Sequence, residues 1–145
     1  MKVRDYMNEA LQEARAALLA GEVPVGAVIV KNGEIIARSG NRCEQDNDPT
    51  AHAEVLAIKM AAKALGDWRL NGCTLYVTLE PCCMCAGAIK NARLSRVVFG
   101  AFDGAAGCCG SRGDVCALGC GAKIVGGVMR DACAALLGEC FRESR

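Results

Sequence analysis

The sequence predicts an α/β fold: a five-stranded mixed sheet with helices on both faces. Apolar residues at helical spacing open the chain. Two β-branched runs come next, joined by Asn32-Gly33. A strand, short helix, strand unit then lies between Cys73 and Ala101. The elements read α-β-β-α-β-α-β-β-α in order.

Val3, Tyr6, Met7, Ala10, Leu11, Ala14, Ala17 and Leu18 recur with polar residues between them, which predicts an amphipathic helix closed by Gly21. Residues 25–30 and 35–39 read as strands. The Asn-Gly between them is the strongest short-range hairpin signal, so the pair is antiparallel. Residues 41–49 are polar and loop-like. Thr50 is the expected N-cap of a helix over 51–65, which Gly66 ends. Cys73–Leu79 reads as a third strand and residues 82–91 as a helix with Pro81 just before it. Arg96–Ala101 is a fourth strand, parallel to the third because a helix crosses between them. Residues 102–122 form a long glycine-rich loop. A fifth strand over 123–128 and a last helix over 131–141 complete one domain, 1–145.

Composition narrows the function. Hydrophobic residues make up 52% and charged residues 23%, which excludes a disordered chain; aromatics are only 4%, so the core is aliphatic. A net charge of +1 argues against gripping nucleic acid by global charge and leaves room only for a local basic patch. No run is long enough to span a membrane. Polar Asn8, Glu9, Gln12 and Glu13 break up the segment after the basic Met1-Lys2-Val3-Arg4 start, so no leader is expected and the chain reads as cytoplasmic. The eleven cysteines are odd in number and belong to a reducing compartment, where they act as small hydrophobes. The spacing of Cys108, Cys109, Cys116 and Cys120 is loose for a second metal site.

The chemistry concentrates in His52-Ala53-Glu54 and Pro81-Cys82-Cys83-Met84-Cys85, and His52 is the only histidine. Cys82 and Cys85, three apart, share one face at the start of a helix. His52 and Glu54 lie at the start of another, where both can lean over the terminus. Two helix N-termini then aim at one Zn²⁺, and their dipoles favour an anionic thiolate centre. Three protein ligands leave the fourth zinc position open to water, whose pKa zinc lowers to about 7. Glu54 is not needed as a ligand and is placed to move protons. Alone, Cys82 and Cys85 could be a redox pair and Glu54 a surface charge; the conjunction favours a zinc deaminase. A closed structural zinc would need a fourth ligand, and Cys83 is the only candidate in the motif.

At these motifs the chain resembles the bacterial tRNA-specific adenosine deaminases. The resemblance extends through Glu22-Val23-Pro24-Val25-Gly26-Ala27-Val28, Asp48-Pro49-Thr50-Ala51-His52-Ala53-Glu54, Thr78-Leu79-Glu80-Pro81-Cys82-Cys83-Met84-Cys85-Ala86-Gly87-Ala88-Ile89, Arg96-Val97-Val98-Phe99-Gly100-Ala101 and Cys133-Ala134-Ala135-Leu136-Leu137. It implies a three-layer α/β/α cytidine-deaminase-like fold, a homodimer with active sites near its interface, and conversion of adenosine to inosine at the wobble position of a tRNA anticodon. By the same resemblance His52, Cys82 and Cys85 hold one Zn²⁺ per subunit, Glu54 shuttles protons, Asn41 contacts the flipped-out base and Asp103 lies near its sugar. An asparagine amide offers a purine edge a donor and an acceptor together. The partner implied is the tRNA anticodon stem-loop. The chain departs from the family after Ala101, where Phe102, Gly104 and Ala105 replace basic residues. Lys90, Arg93, Arg96, Arg130, Arg142 and Arg145 are the basic residues that could compensate. The competing reading is a free-base or nucleoside deaminase of guanine or cytosine type.

Overall fold

The structure, a computed structural model, describes residues 1–143. Strands β1 (Gly26–Lys31), β2 (Glu34–Gly40), β3 (Cys73–Leu79), β4 (Arg96–Ala101) and β5 (Lys123–Val125) form one sheet in the order β2-β1-β3-β4-β5. β1 pairs antiparallel with both β2 and β3, whereas β3, β4 and β5 run parallel. The β1–β2 turn is the predicted one. Asn32 and Gly33 take φ of 50° and 78°, the two left-handed positions that a two-residue hairpin loop requires.

Helices cover both faces. On one, α1 (Val3–Leu19) and α5 (Arg130–Glu143) bury Met7, Leu11, Ala14, Cys133 and Leu136 against Val28, Tyr76 and Val98. On the other, α3 (Ala53–Leu65) and α4 (Cys83–Asn91) bury Ala53, Ala57, Ala61 and Ile89 against Ile29, Leu75, Val77, Val97 and Phe99. β3 is therefore covered on both sides, which explains its nearly continuous apolar run. The α1 backbone lies directly on β1, because a Cβ at Gly26 would fall 2.0 Å from the Ala10 carbonyl oxygen. Small side chains thus set the spacing of layers that few aromatics could fill.

Beyond shifts of one or two residues at the ends of β1, β2, α4 and α5, three features differ from the sequence reading. The 41–49 segment contains a short helix, α2 (Cys43–Asp46), whose first-turn N–H groups at Glu44 and Gln45 donate to the buried Glu22 carboxylate at 3.0 and 2.7 Å. Helix α3 begins two residues later than expected, with His52 as N-cap in place of Thr50. The Thr50 hydroxyl and N–H both donate to Asp48 Oδ1, at 2.7 and 2.8 Å, so Asp48 closes a local turn that keeps Thr50 outside the helix. β5 stops at Val125, not at residue 128. Gly126 packs against the Phe99 ring, and Gly127 turns the chain with φ of 86°. The long loop is ordered by hydrogen bonds and contains a 3₁₀ turn, Val115–Leu118.

Cys73 and Cys133 are buried in the core, as small hydrophobes should be, and Cys109 and Cys120 pack against its edge. The side chains of Cys116 and Arg142, and all of Arg145, lie outside the described residues. Among the described residues no helix is long and apolar enough to cross a membrane.

Candidate metal centre and active site

Helices α3 and α4 begin at the same edge of the sheet, and their N-cap residues are His52 and Cys82. An N-cap side chain normally turns back to its own helix; His52 makes no such bond. Its Nδ1 lies 3.4 Å from Cys85 Sγ and 3.7 Å from Cys82 Sγ, and the three ligand atoms all fall within 4.8 Å of one another. Tetrahedral zinc with bonds of about 2.3 Å to sulfur and about 2.0–2.1 Å to nitrogen places N and S roughly 3.5–3.6 Å apart. The residues present therefore fit the ion. Cys83, the candidate for a fourth ligand, does not join this group: its side chain is exposed and neighbours Cys108.

The electrostatics suit a cation. Hydrogen bonds from the Cys85 thiol and from His52 hold the Cys82 thiol down at about 3. Cys85 is pushed up, first because it shares its proton with Cys82 and then by burial and the nearby Glu54 charge. The hydrogen bond to Cys82 also raises His52. A divalent ion would displace the proton that the two sulfurs share. Glu54, 4% exposed in the first turn of α3, is raised by desolvation. Its neighbours include the Cys85 thiol and His52.

In front of this centre lies a cavity of about 450 Å³, lined among others by Val25, Asn41, His52, Glu54, Leu79, Cys82 and Asp103. Of the six site residues expected from the sequence, His52, Glu54, Cys82, Asn41 and Asp103 border this one space and Cys85 is buried behind it, whereas the basic Lys90, Arg93, Arg96 and Arg130 do not line it. Asn41 is tied to α3 there: its Oδ1 accepts the Ala53 N–H at 2.8 Å, the first orphan donor of that helix. The amide keeps its NH₂ group and a second lone pair for a ligand. Asp103 caps its own turn by accepting the N–H groups of Ala105 and Ala106 at 3.0 and 3.1 Å.

Two buried carboxylates of the same cavity escaped the sequence reading, Glu22 and Glu80. Glu80 Oε1 accepts the Asp103 N–H at 3.1 Å and the Ser111 hydroxyl; Oε2 accepts the N–H groups of Cys109 and Ser111 at 3.1 and 3.0 Å. Burial pushes Glu80 up, but the donors of Ser111, Asp103 and Cys109 outweigh it and hold the carboxyl below the usual range. The loop closes so tightly that a Cβ on Gly107 would lie 2.4 Å from Glu80 Cδ. The available signal was an acidic residue wedged between an apolar strand and Pro81, ahead of a glycine-rich loop rich in unpaired N–H groups.

Comparison with known proteins agrees with this chemistry. Residues 1–101 match the cytidine and deoxycytidylate deaminase zinc-binding region, and the chain belongs to that family of zinc-dependent hydrolytic deaminases. Within the family, it is 52% identical over 143 residues to the tRNA-specific adenosine deaminase of Bacillus subtilis, a match covering 97% of this chain and 89% of the relative. A solved structure from work on A-to-I editing by tRNA:A34 deaminases superposes with a TM-score of 0.85 at 45% identity, over 91% of this chain and 98% of that one. Guanine deaminase from Bacillus subtilis superposes with a TM-score of 0.68 at 46% identity, over 70% of this chain and 66% of the other.

Proposed function

We propose that this protein deaminates adenosine to inosine at the wobble position of a tRNA anticodon. The near-full-length identity to a tRNA-specific adenosine deaminase carries this reading. His52, Cys82 and Cys85 would hold a zinc ion, which would supply Lewis acidity toward a water molecule. Glu54 takes one proton from the attacking water and gives it to the purine ring nitrogen N1, then takes the second from the new C6 hydroxyl and gives it to the departing amine. A C–O bond forms at the purine C6, the C–N bond breaks, and ammonia leaves. Burial favours this role, because a carboxyl raised from its ordinary range both accepts and returns a proton readily. Asn41, pinned by Ala53, presents its amide to the base, and Asp103 borders the sugar.

The RNA partner is the anticodon stem-loop, and the protein acts as a homodimer in the cytoplasm, as its resemblance to the family implies. The guanine deaminase likeness supplies the competing substrate, a free base. One assay separates them: purified zinc-loaded protein is offered an anticodon stem-loop with wobble adenosine, free guanine and cytidine. Ammonia and inosine from the stem-loop are expected. Turnover of the small molecules alone would overturn the proposal.

A further inference from the structure

The exit of β4 carries an aromatic surface that the chemistry above leaves unused. Phe102 is 49% exposed, directly after a strand whose residues 97–101 are all buried. It is held rigidly. Its ring meets Phe99 edge-on, with centroids 5.1 Å apart and planes at 85°. A Cβ at Gly127 would lie 3.5 Å from Phe102 Cε2, so the turn before α5 closes on the ring. The exposed Arg130, first residue of α5, places its guanidinium carbon 5.5 Å from the ring centroid.

Both chain neighbours of Phe102 are tied to the residue before the metal motif. The Glu80 N–H donates to the Ala101 carbonyl at 2.9 Å, and the Asp103 N–H donates to Glu80 Oε1 at 3.1 Å. Asp103 borders the active-site cavity. A half-exposed ring with a fixed plane therefore stands one residue from the cavity wall, with a cation against it. A fixed aromatic face stacks an unpaired base, and a guanidinium beside it meets the phosphate of the same strand.

We infer that Phe102 and Arg130 form a docking site for the nucleotide adjoining the reacting adenosine, its base stacked on the phenyl ring and its phosphate paired with the guanidinium. This rests on the RNA reading given under Proposed function. A free base or nucleoside has no adjoining nucleotide, so the platform favours a polymer over the monomer. Stacking accepts any base, so the contact strengthens binding without dictating sequence.

The test measures binding of a fluorescent anticodon stem-loop carrying wobble adenosine to zinc-loaded protein, across a series of salt concentrations. Phe102→Leu keeps an apolar side chain on Phe99 and removes the π-face. It should weaken binding about tenfold, the order that loss of one base–aromatic stack produces. Phe102→Tyr should restore the wild-type Kd, which a packing defect would not predict. Arg130→Gln should reduce the slope of log K against log salt by about one phosphate contact. Wild-type Kd in Phe102→Leu together with an unchanged salt slope in Arg130→Gln would overturn the platform alone. A wild-type protein that fails to bind the stem-loop would overturn the RNA reading and the platform with it. A Phe102→Leu protein that changes oligomeric state on a sizing column would reassign the face to a second copy of the chain and overturn the inference.

Discussion

Replacing Glu80 by Gln asks whether the loop after β4 is built around one carboxylate. The wild-type group accepts four hydrogen bonds, two on each oxygen. An amide keeps one oxygen and puts NH₂ in place of the other. Its least costly orientation turns NH₂ toward the Ser111 hydroxyl, which can accept, and leaves the Asp103 N–H orphaned. An orphaned buried donor costs about 1–3 kcal/mol, and each of two remaining bonds loses roughly 1 kcal/mol with the charge, about 3–5 kcal/mol together. At roughly 2–4 °C per kcal/mol, the melting temperature should fall by about 6–20 °C. Opening of the loop to water would cap that fall and would appear as faster amide exchange at Asp103, Cys109 and Ser111. The paired assay is thermal unfolding with hydrogen exchange at these three amides. A melting temperature within about 2 °C of wild type, with all three amides unchanged, would refute the reasoning. The sign with pH is also fixed. The folded carboxyl lies below its ordinary range, so its contribution is present above the unfolded pKa and is lost as pH falls through the folded value. The gap between wild type and Glu80→Gln should therefore be full at neutral pH and close on acidification.

The site and the core set four further outcomes. Glu54→Ala should retain one zinc per chain by metal analysis and lose turnover by about 10²–10⁴-fold, the range general acid–base catalysis supplies; substantial residual activity would contradict its role. His52→Ala should lose or weaken zinc binding, and a mutant that still holds one tight zinc would show the ligand set to be wrong. Asn41→Asp keeps an acceptor for the Ala53 N–H and should melt near wild type while binding RNA poorly, whereas Asn41→Ala should lose about 1 kcal/mol of stability as well, the usual cost of a lost cap. Equal melting temperatures for the two variants would count against the capping bond. Burial pushes the Cys133 thiol up to about 11, so at pH 8 iodoacetamide should alkylate the exposed Cys83 and spare Cys133; comparable labelling of both, read by mass spectrometry, would contradict this.

The range of each interaction decided whether the sequence disclosed it. Asn32-Gly33 specified its hairpin because the left-handed dihedrals are a property of those two residues. β3 and β4 matched their expected bounds: β3 lies between Asn71-Gly72 and Glu80-Pro81, and β4 between Ser95 and the Asp103-Gly104 pair that follows Phe102. The grouping of His52, Cys82 and Cys85, with Glu54 beside them, was legible because a metal centre needs those residue types at that spacing. The misses have partners far along the chain. Glu22 holds α2 from 22 and 23 residues away, and Glu80 gathers donors 23 to 31 residues downstream. No periodicity records such bonds. Thr50 failed as N-cap for a local reason that was available, since Asp48 two residues earlier competes for its hydroxyl and its N–H.

The buried carboxylates divide the labour of the cavity. Glu54 lies beside His52 and Cys85 and has its charged form destabilised by burial, which suits the proton transfer proposed for it. Glu80 is as deeply buried, yet a ring of N–H and O–H donors stabilises its charge, which leaves it inert as a proton carrier and effective as a staple. The difference lies in the balance around each group: the donors outweigh burial at Glu80, whereas burial outweighs the donors present at Glu54. The same staple lets the glycine-rich segment act as a wall. Glycines at 104, 107 and 110 would otherwise leave the backbone loose. Fixing its N–H groups on one charge orders the segment, and with it Asp103 on the cavity wall. The metal-ligand cluster therefore stands on two helix starts, and part of the wall of its cavity on a loop that a single carboxylate organises.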